Sequence, residues 1–303
     1  MRFSGISFVK NEELSIEKND DEQDVTAIKY VYFKNQWRLV ITLYNGCRVY
    51  SENGSRLLTY IEVPENNTKF YGESGFDNYF MGITSITMKK GNEAICVGNS
   101  LGEVHFIENS KENYFSNAVA VKIKGETAVT SLASSKAYSL LFVGDALGHV
   151  HMFQFETLKD YKLLKTIDLE NGSNPVNAMA MLEKSDASVD PLLVTADFVG
   201  RLKIFNMLTY SCLVEVYAHA RTITALDTSS EELAVLSASE DTYLHVWKLS
   251  VEKNQKTKLN LVESYNCDDQ MIMGAVISST KPFDVAFLAY DSETIRVLNG
   301  VAL

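Results

Sequence analysis

Three polar residues of one short segment could together carry out nucleophilic hydrolysis. They are His219, Ser237 and Asp241. A histidine placed between a serine and a carboxylate can take the hydroxyl proton and so activate the serine oxygen. These residue types raise the hypothesis of a hydrolase. The elements that carry them decide whether they meet a substrate or stay buried.

Histidines could alternatively hold a metal ion, which in a zinc site needs about four nitrogen or sulfur ligands that converge on one point. Three histidines instead occupy equivalent positions of separate segments, and long basic residues fill that position in the others. The set is His105, His151, His245, Arg48, Lys203 and Arg296. We expect these side chains to lie along strands with their tips in solvent. Since only His149 is then left without a role, we predict no metal site.

Three glycine-containing turns, which read GNSLG, GDALG and ADFVG, could suggest phosphate-binding loops. A P-loop or a dinucleotide-binding turn leads into a helix, whose first amide groups hold the phosphate. A strand-like run follows each of these turns instead. We therefore predict no nucleotide site and no cofactor.

The candidate residues belong to a pattern of short strands that recurs six times. In each copy a second strand leads into a tight turn, and in the third strand apolar residues alternate with polar ones. The aligned turn positions are 42 to 57 residues apart, the period of a four-stranded propeller blade with loop insertions. These positions are Asn45, Gly102, Gly148, Gly200, Thr242 and Glu293.

We predict an all-β fold because helix periodicity is nearly absent and only four prolines interrupt the strands. A single domain over residues 1–303 is expected, with repeats from about 25 to 298. The last copy ends too soon after its third strand to supply a fourth, and residues 3–9 are the natural substitute. Residues 1–24 would thus form a closing strand and an acidic loop, and the termini would lie side by side. A partial seventh blade built from the same residues is the open alternative.

The fifth copy resembles a unit of the WD-repeat family almost position for position. It reads AHARTITALD over residues 218–227 and LSASEDTYLHVW over residues 236–247. The other five copies are similar but degenerate, and Ala218 stands where the family usually has glycine. The resemblance implies a WD40-type β-propeller with six four-stranded blades that acts as a protein-interaction platform, with no catalytic site of its own.

For the candidate triad, the resemblance implies a structural role. In the family these positions form a hydrogen-bonded tetrad that stabilises its blade, because each buried polar group has a partner. The tetrad residues here are His219, Ser237, Asp241 and Trp247.

Composition and charge exclude several other classes of partner. The 28 Lys and Arg residues against 39 Asp and Glu give a net charge of -11, so we predict no nucleic-acid partner. No uncharged apolar run reaches the roughly 18 residues that cross a bilayer, so we predict no membrane insertion. The four cysteines lie 49 or more residues apart, which favours a reducing compartment, and we expect a cytoplasmic protein.

Protein partners are the remaining expectation, and the resemblance places their binding surface on the propeller face that carries the turns. Carboxylates, tyrosines and one arginine would suit a peptide with basic and apolar anchors. The candidate residues are Arg221, Asp145, Asp197, Phe198, Glu240, Tyr290, Asp291, Tyr44 and Asn99. Ordinary solvated loops are the alternative for each residue.

The function predicted from these patterns is a non-enzymatic scaffold or adaptor that binds protein partners through its face or its rim. The first alternative is a structural subunit of a large cytoskeletal or ciliary assembly, which would use the rim. A propeller hydrolase is a weaker alternative, since repeat positions explain most of the polar residues.

Overall fold

The computed structural model describes nine stretches of the chain. They are residues 6–8, 25–63, 78–111, 114–123, 127–169, 174–251, 257–278, 281–292 and 294–301. Within these stretches every regular element is a β-strand, and the 24 strands form six four-stranded antiparallel sheets. The predicted all-β propeller with six blades is therefore confirmed. The same stretches contain no helix long and apolar enough to cross a membrane.

The chain divides into two compact units, each with three of the described sheets. Unit 1 comprises Met1–Glu12 with Asn174–Leu303, and unit 2 comprises Glu13–Ser173. The single domain expected over residues 1–303 stays a prediction.

Unit 2 contains three sheets whose strands pair in chain order. The first is β2 (Val25–Phe33), β3 (Gln36–Leu43), β4 (Gly46–Tyr50) and β5 (Leu57–Glu62). The second is β6 (Phe80–Thr87), β7 (Glu93–Asn99), β8 (Glu103–Lys111) and β9 (Tyr114–Lys122). The third is β10 (Val129–Ser135), β11 (Leu140–Asp145), β12 (His149–Thr157) and β13 (Asp160–Asp168).

Unit 1 contains two sheets in chain order and a third that combines distant segments. The first is β14 (Val176–Leu182), β15 (Leu192–Asp197), β16 (Arg201–Asn206) and β17 (Cys212–Tyr217). The second is β18 (Ile223–Ser229), β19 (Ala234–Ser239), β20 (Tyr243–Val251) and β21 (Thr257–Asn266). The third has the order β1 (Ile6–Phe8), β24 (Ile295–Val301), β23 (Phe283–Ala289) and β22 (Ile272–Ile277).

The N-terminal strand completes the last sheet, as predicted. Ile6 pairs with Leu298 and Phe8 pairs with Arg296 in antiparallel register. The pairing covers β24, which would otherwise be an open edge. Residues 6–8 thus belong to the sixth sheet, while the rest of residues 1–24, for which the acidic loop and the partial seventh blade were predicted, lies outside the described part of the chain.

Packing on both faces explains why the second strand of the fifth blade is buried along its whole length. On β19 the successive side chains Val235 and Leu236 point to opposite faces, and both are fully buried. Val235 belongs to the apolar cluster that reaches the sheet of β14 to β17, and Leu236 to the cluster that reaches the last sheet. The fourth strand β21 instead alternates between exposed and half-buried residues along most of its length, as an outer strand does.

The third strands contradict one expectation from the sequence. Arg48, His105, His151 and Lys203 are buried, although their tips were predicted to reach solvent. The tips find polar or aromatic partners within the same sheet instead of water. For example, His151 Nδ1 lies 3.1 Å from Thr166 Oγ1 on the adjacent strand.

Candidate functional site

Four side chains of the fifth blade form one continuous hydrogen-bonded chain. Trp247 Nε1 on β20 donates to Ser237 Oγ on β19 over 2.9 Å. Ser237 Oγ lies 2.8 Å from His219 Nε2, and His219 Nδ1 lies 3.1 Å from both carboxylate oxygens of Asp241. The structure therefore brings together the four residues of the predicted tetrad.

Donor chemistry fixes the direction of this chain. An indole nitrogen can only donate, so the Ser237 oxygen accepts from Trp247. An ionised carboxylate can only accept, so the neutral His219 ring has its proton on Nδ1, and its Nε2 accepts from the Ser237 hydroxyl. His219 Nδ1 then carries the proton that it donates to Asp241. Each of the four groups is satisfied, which is what allows polar side chains to remain in this interior position.

Backbone contacts hold His219 and Asp241 of the tetrad in place. The amides of Ala218 and His219 both donate to the Gly200 carbonyl of the preceding blade, over 2.9 and 3.0 Å. Asp241 lies in the turn between β19 and β20, where its carboxylate accepts the amides of Ala220 over 2.8 Å and Tyr243 over 3.0 Å.

The protonation states follow from burial and these contacts. Burial lowers the pKa of His219 and outweighs the attraction of Asp241, so the imidazole stays neutral. Burial alone would raise the pKa of Asp241, but the amide of Ala220 and the neighbouring imidazole bring it below its ordinary value. A neutral histidine and an ionised aspartate also suit a catalytic triad, so accessibility must separate the two roles.

Accessibility favours the structural role. Ser237 has 0% of its surface exposed, and His219 is also buried. The Ser237 hydroxyl already donates to His219 Nε2 and accepts from Trp247 Nε1. A substrate carbonyl could not approach this oxygen without displacing the indole and opening the blade.

Three predicted partner-binding residues are buried turn residues, which corrects the surface role expected for Asn99, Asp145 and Asp197. Each ends a second strand, and its side-chain oxygen accepts the amides of the residues two and four positions later. The turn thus draws the polar group inward, as short polar side chains do when they bond their own backbone.

The remaining oxygen of each of the two carboxylates, Asp145 and Asp197, faces the third strand. Asp197 Oδ2 accepts from Arg201 Nε over 2.8 Å and lies 2.7 Å from its terminal nitrogen, a buried two-point ion pair. Asp145 Oδ2 lies 3.1 Å from His149 Nδ1 and 3.1 Å from His151 Nε2. These partners were missed in the sequence, although an acid four residues before a basic side chain was visible in both repeats.

The other predicted surface residues are accessible and divide between the two units. In unit 2, Tyr44 is exposed and packs against Tyr79 with ring centroids 4.7 Å apart. In unit 1 the exposed or half-exposed residues are Phe198, Arg221, Glu240, Tyr290 and Asp291.

Backbone contacts join part of the unit 1 set into one surface. The turn that contains Phe198 and Gly200 is joined to the segment before Arg221, because the Gly200 carbonyl accepts the amides of Ala218 and His219. The Glu240 amide donates to the Thr222 carbonyl over 3.1 Å. Tyr217, which sequence reasoning did not select, is 72% exposed at the end of β17, and its ring lies 5.7 Å from the Arg201 guanidinium carbon.

Comparison with known proteins agrees with the repeat pattern. The WDR54 family model matches residues 188–301. WD repeat-containing protein 54 of Homo sapiens is 33% identical over 107 residues, which is 34% of this chain and 31% of that protein. WD repeat domain 54 of Rattus norvegicus is 32% identical over 103 residues, 32% of this chain and 30% of that protein. The match thus spans about a third of the length of these curated relatives.

Solved structures extend the similarity over nearly the whole chain at the level of the fold. A chain of the mitotic checkpoint complex aligns with 94% of this protein and 80% of its own length, with a TM-score of 0.68 and 15% identity. Chaetomium thermophilum Raptor aligns with 94% of this protein and 24% of its own length, with a TM-score of 0.70 and 10% identity.

Proposed function

We propose that this chain, whose repeats and fold are similar to those of WD-repeat β-propellers, acts as a non-enzymatic scaffold that binds protein partners through the turn surface of unit 1. We define this surface by Phe198, Tyr217, Arg221 and Glu240. The observation that carries the proposal is the combination of exposed aromatic rings with an arginine that has no partner among the described residues, all on adjoining turns.

Aromatic and arginine side chains are the residue types that dominate the binding energy of protein interfaces. Phe198 is 56% exposed at the tip of its turn, so its ring is available to a partner. Among the described residues, the Arg221 guanidinium makes no hydrogen bond or ion pair. It is free to bind a carboxylate or a backbone carbonyl of a bound segment.

The same surface carries fewer free carboxylates than the turn residues selected from the sequence had indicated. The Asp197 carboxylate forms an ion pair with Arg201, and Asp145 belongs to unit 2 and therefore not to this surface. Glu240 remains as the acid beside Arg221. A partner segment that presents one carboxylate and an apolar side chain fits this arrangement better than a strongly basic peptide does.

The experiment compares the proteins recovered with tagged full-length wild type, Arg221→Glu and Phe198→Ala from the cells that naturally express the chain. Both variants are expected to lose the same partners by quantitative mass spectrometry while keeping the wild-type melting curve. The matched control is Lys165→Glu, which reverses an exposed charge on the outer strand β13 and is expected to keep those partners.

Unchanged recovery with folded Arg221→Glu and Phe198→Ala would contradict the proposal. Loss of a stoichiometric set of subunits with Lys165→Glu alone would instead support binding through the rim, as in a structural subunit of a large assembly.

A further inference from the structure

Three side chains of the third blade present ligand atoms at the separations found in a metal site. Asp145 Oδ2 lies 3.1 Å from both His149 Nδ1 and His151 Nε2, and the three atoms lie within 4.8 Å of one another. Around a tetrahedral zinc ion with bonds of about 2.0–2.1 Å, neighbouring ligand atoms are about 3.3 Å apart. The two carboxylate–imidazole distances are close to this value, and binding an ion requires the two imidazole nitrogens to take up a similar separation.

The strand geometry explains why these two histidines converge. His149 and His151 are two residues apart on β12, so their side chains leave the same face of the sheet. Asp145 ends β11 and reaches the same face from the adjacent strand. In the sequence, His151 was assigned to a repeat position and His149 was left aside, so the two were not paired and no metal site was predicted.

Outer contacts hold two of the three ligands in position. Asp145 Oδ1 accepts the amides of Leu147 and His149 over 2.9 and 2.8 Å, which leaves Oδ2 for the site. His151 Nδ1 lies 3.1 Å from Thr166 Oγ1, which orients Nε2 toward the carboxylate. Such outer contacts are a regular feature of protein metal sites.

Exposure gives the site an opening. Asp145 is 0% exposed and His151 is buried, whereas 27% of the His149 side chain is exposed. Metal could enter beside His149, and a water molecule could complete the coordination there.

Comparison with the next blade supplies an independent argument from charge. The positions of His149 and His151 correspond to Arg201 and Lys203, and Arg201 gives Asp197 a permanent positive partner. Asp145 is equally buried but faces two imidazoles, which are neutral when they coordinate metal. A divalent cation would compensate the buried carboxylate as Arg201 does in the next blade.

We propose that Asp145, His149 and His151 form a binding site for a divalent transition metal, and that zinc suits this mixture of two imidazoles and one carboxylate. Hard cations such as Mg²⁺ and Ca²⁺ prefer oxygen ligands and are not expected to bind. The alternative arrangement has two N–H groups donating to Asp145 Oδ2 with no ion, and the experiment distinguishes the two.

The test uses the full chain with any polyhistidine tag removed, stripped with a chelator and titrated with zinc chloride by calorimetry. We expect one equivalent of zinc per chain, retained on desalting and measured by elemental mass spectrometry. Cobalt(II) should give the visible absorption of a four- or five-coordinate ion. Zinc should also raise the melting temperature in a concentration-dependent manner, because ligand binding to the folded state alone stabilises it.

The decisive variant is His149→Arg, which copies the arrangement of Asp197 and Arg201. It should fold with unchanged or higher stability in chelator and weaken zinc binding by roughly 100-fold or more. His149→Gln should weaken zinc binding to the same extent without adding a charge. Glu103→Gln, which changes the equivalent position of the preceding blade, should keep one equivalent. Wild type that retains no zinc, or equal binding by wild type and both His149 variants, would overturn the proposal.

Discussion

The imidazole of His245 stacks on that of His219, with ring centroids 4.5 Å apart and ring planes 23° apart. The His245 ring also lies nearly perpendicular to the Trp247 ring, with centroids 5.6 Å apart, and within the described part of the chain its buried Nδ1 has no hydrogen-bond partner. Burial, followed by the nearby His219, lowers the pKa of His245 to about 4. Protonating this ring in the folded state is therefore unfavourable.

This stack predicts that stability falls in mildly acidic solution. An unfolded histidine has a pKa of about 6.5, so between about pH 6.5 and pH 4 the unfolded chain binds more protons at His245 than the folded chain. Stability is then lost as the pH falls through this window, and the lowered pKa of His219 acts in the same direction. The lowered pKa of Asp241 removes stability only in more acidic solution.

We therefore expect the melting temperature to fall between about pH 7 and pH 4.5, and to fall less steeply in His245→Gln. Thermal melts over this range measure both slopes. Equal slopes for the variant and the wild type would show that His245 does not titrate with folding.

The tetrad predicts a large stability cost for Asp241→Ala. The substitution leaves the His219 Nδ1 proton without its acceptor, and a stranded buried donor costs roughly 1–3 kcal/mol, with more where further partners shift. Glu240→Ala is the control, since it removes the neighbouring carboxylate outside the tetrad. Urea unfolding measures both. A stable Asp241→Ala protein that had lost a measurable hydrolase activity would instead support the catalytic triad.

Close approach of two blades predicts that replacing Gly200 lowers stability more than replacing an unobstructed glycine does. It has φ of +85°, and a Cβ there would lie 2.2 Å from the His219 carbonyl oxygen. Gly91 has a similar φ of +83° with no atom within 4 Å of such a Cβ, so it isolates the cost of the backbone conformation. Gly91→Ala should cost roughly 1 kcal/mol, and Gly200→Ala roughly 1–3 kcal/mol more. If urea unfolding showed the same loss of stability for Gly91→Ala and Gly200→Ala, the close approach at Gly200 would not contribute to stability.

The pairing of β1 with β24 predicts that deleting residues 1–9 exposes a strand edge. The truncated chain should unfold more readily and associate through that edge. Deleting residues 1–5 is the matched control, because it keeps Ile6–Phe8. Size-exclusion chromatography with light scattering compares the two. A monomeric protein of wild-type stability after the longer deletion would show that this pairing is dispensable.

The repeat pattern was sufficient to predict the sheets because each blade repeats one arrangement of strands and turns. Third strands follow the predicted turn positions, as with β12, which begins at His149 directly after Gly148. The N-terminal strand was predictable for a related reason, since the last copy lacked a fourth strand.

The direction of turn side chains could not be predicted in the same way. Asn99, Asp145 and Asp197 have the composition of solvated turn residues, yet hydrogen bonds to their own turns bury them. Composition reports polarity, whereas orientation depends on which backbone amides the turn leaves unpaired. The contact between Asp145 and His149 depends on this inward orientation, so it could not be predicted from the sequence either.

The register of Ile6 with Leu298 also constrains the order in which the chain can fold during synthesis. The nascent chain emerges from the ribosome with its N-terminus first. Strand β1 therefore has no pairing partner until almost all of the described strands have been translated. Such a contact has the longest sequence separation in the sheets and carries a large loop-closure cost. Chaperones that shield unpaired strands would have to protect β1 throughout translation, and a message truncated before the codons of β24 would produce a chain that can never complete its last blade.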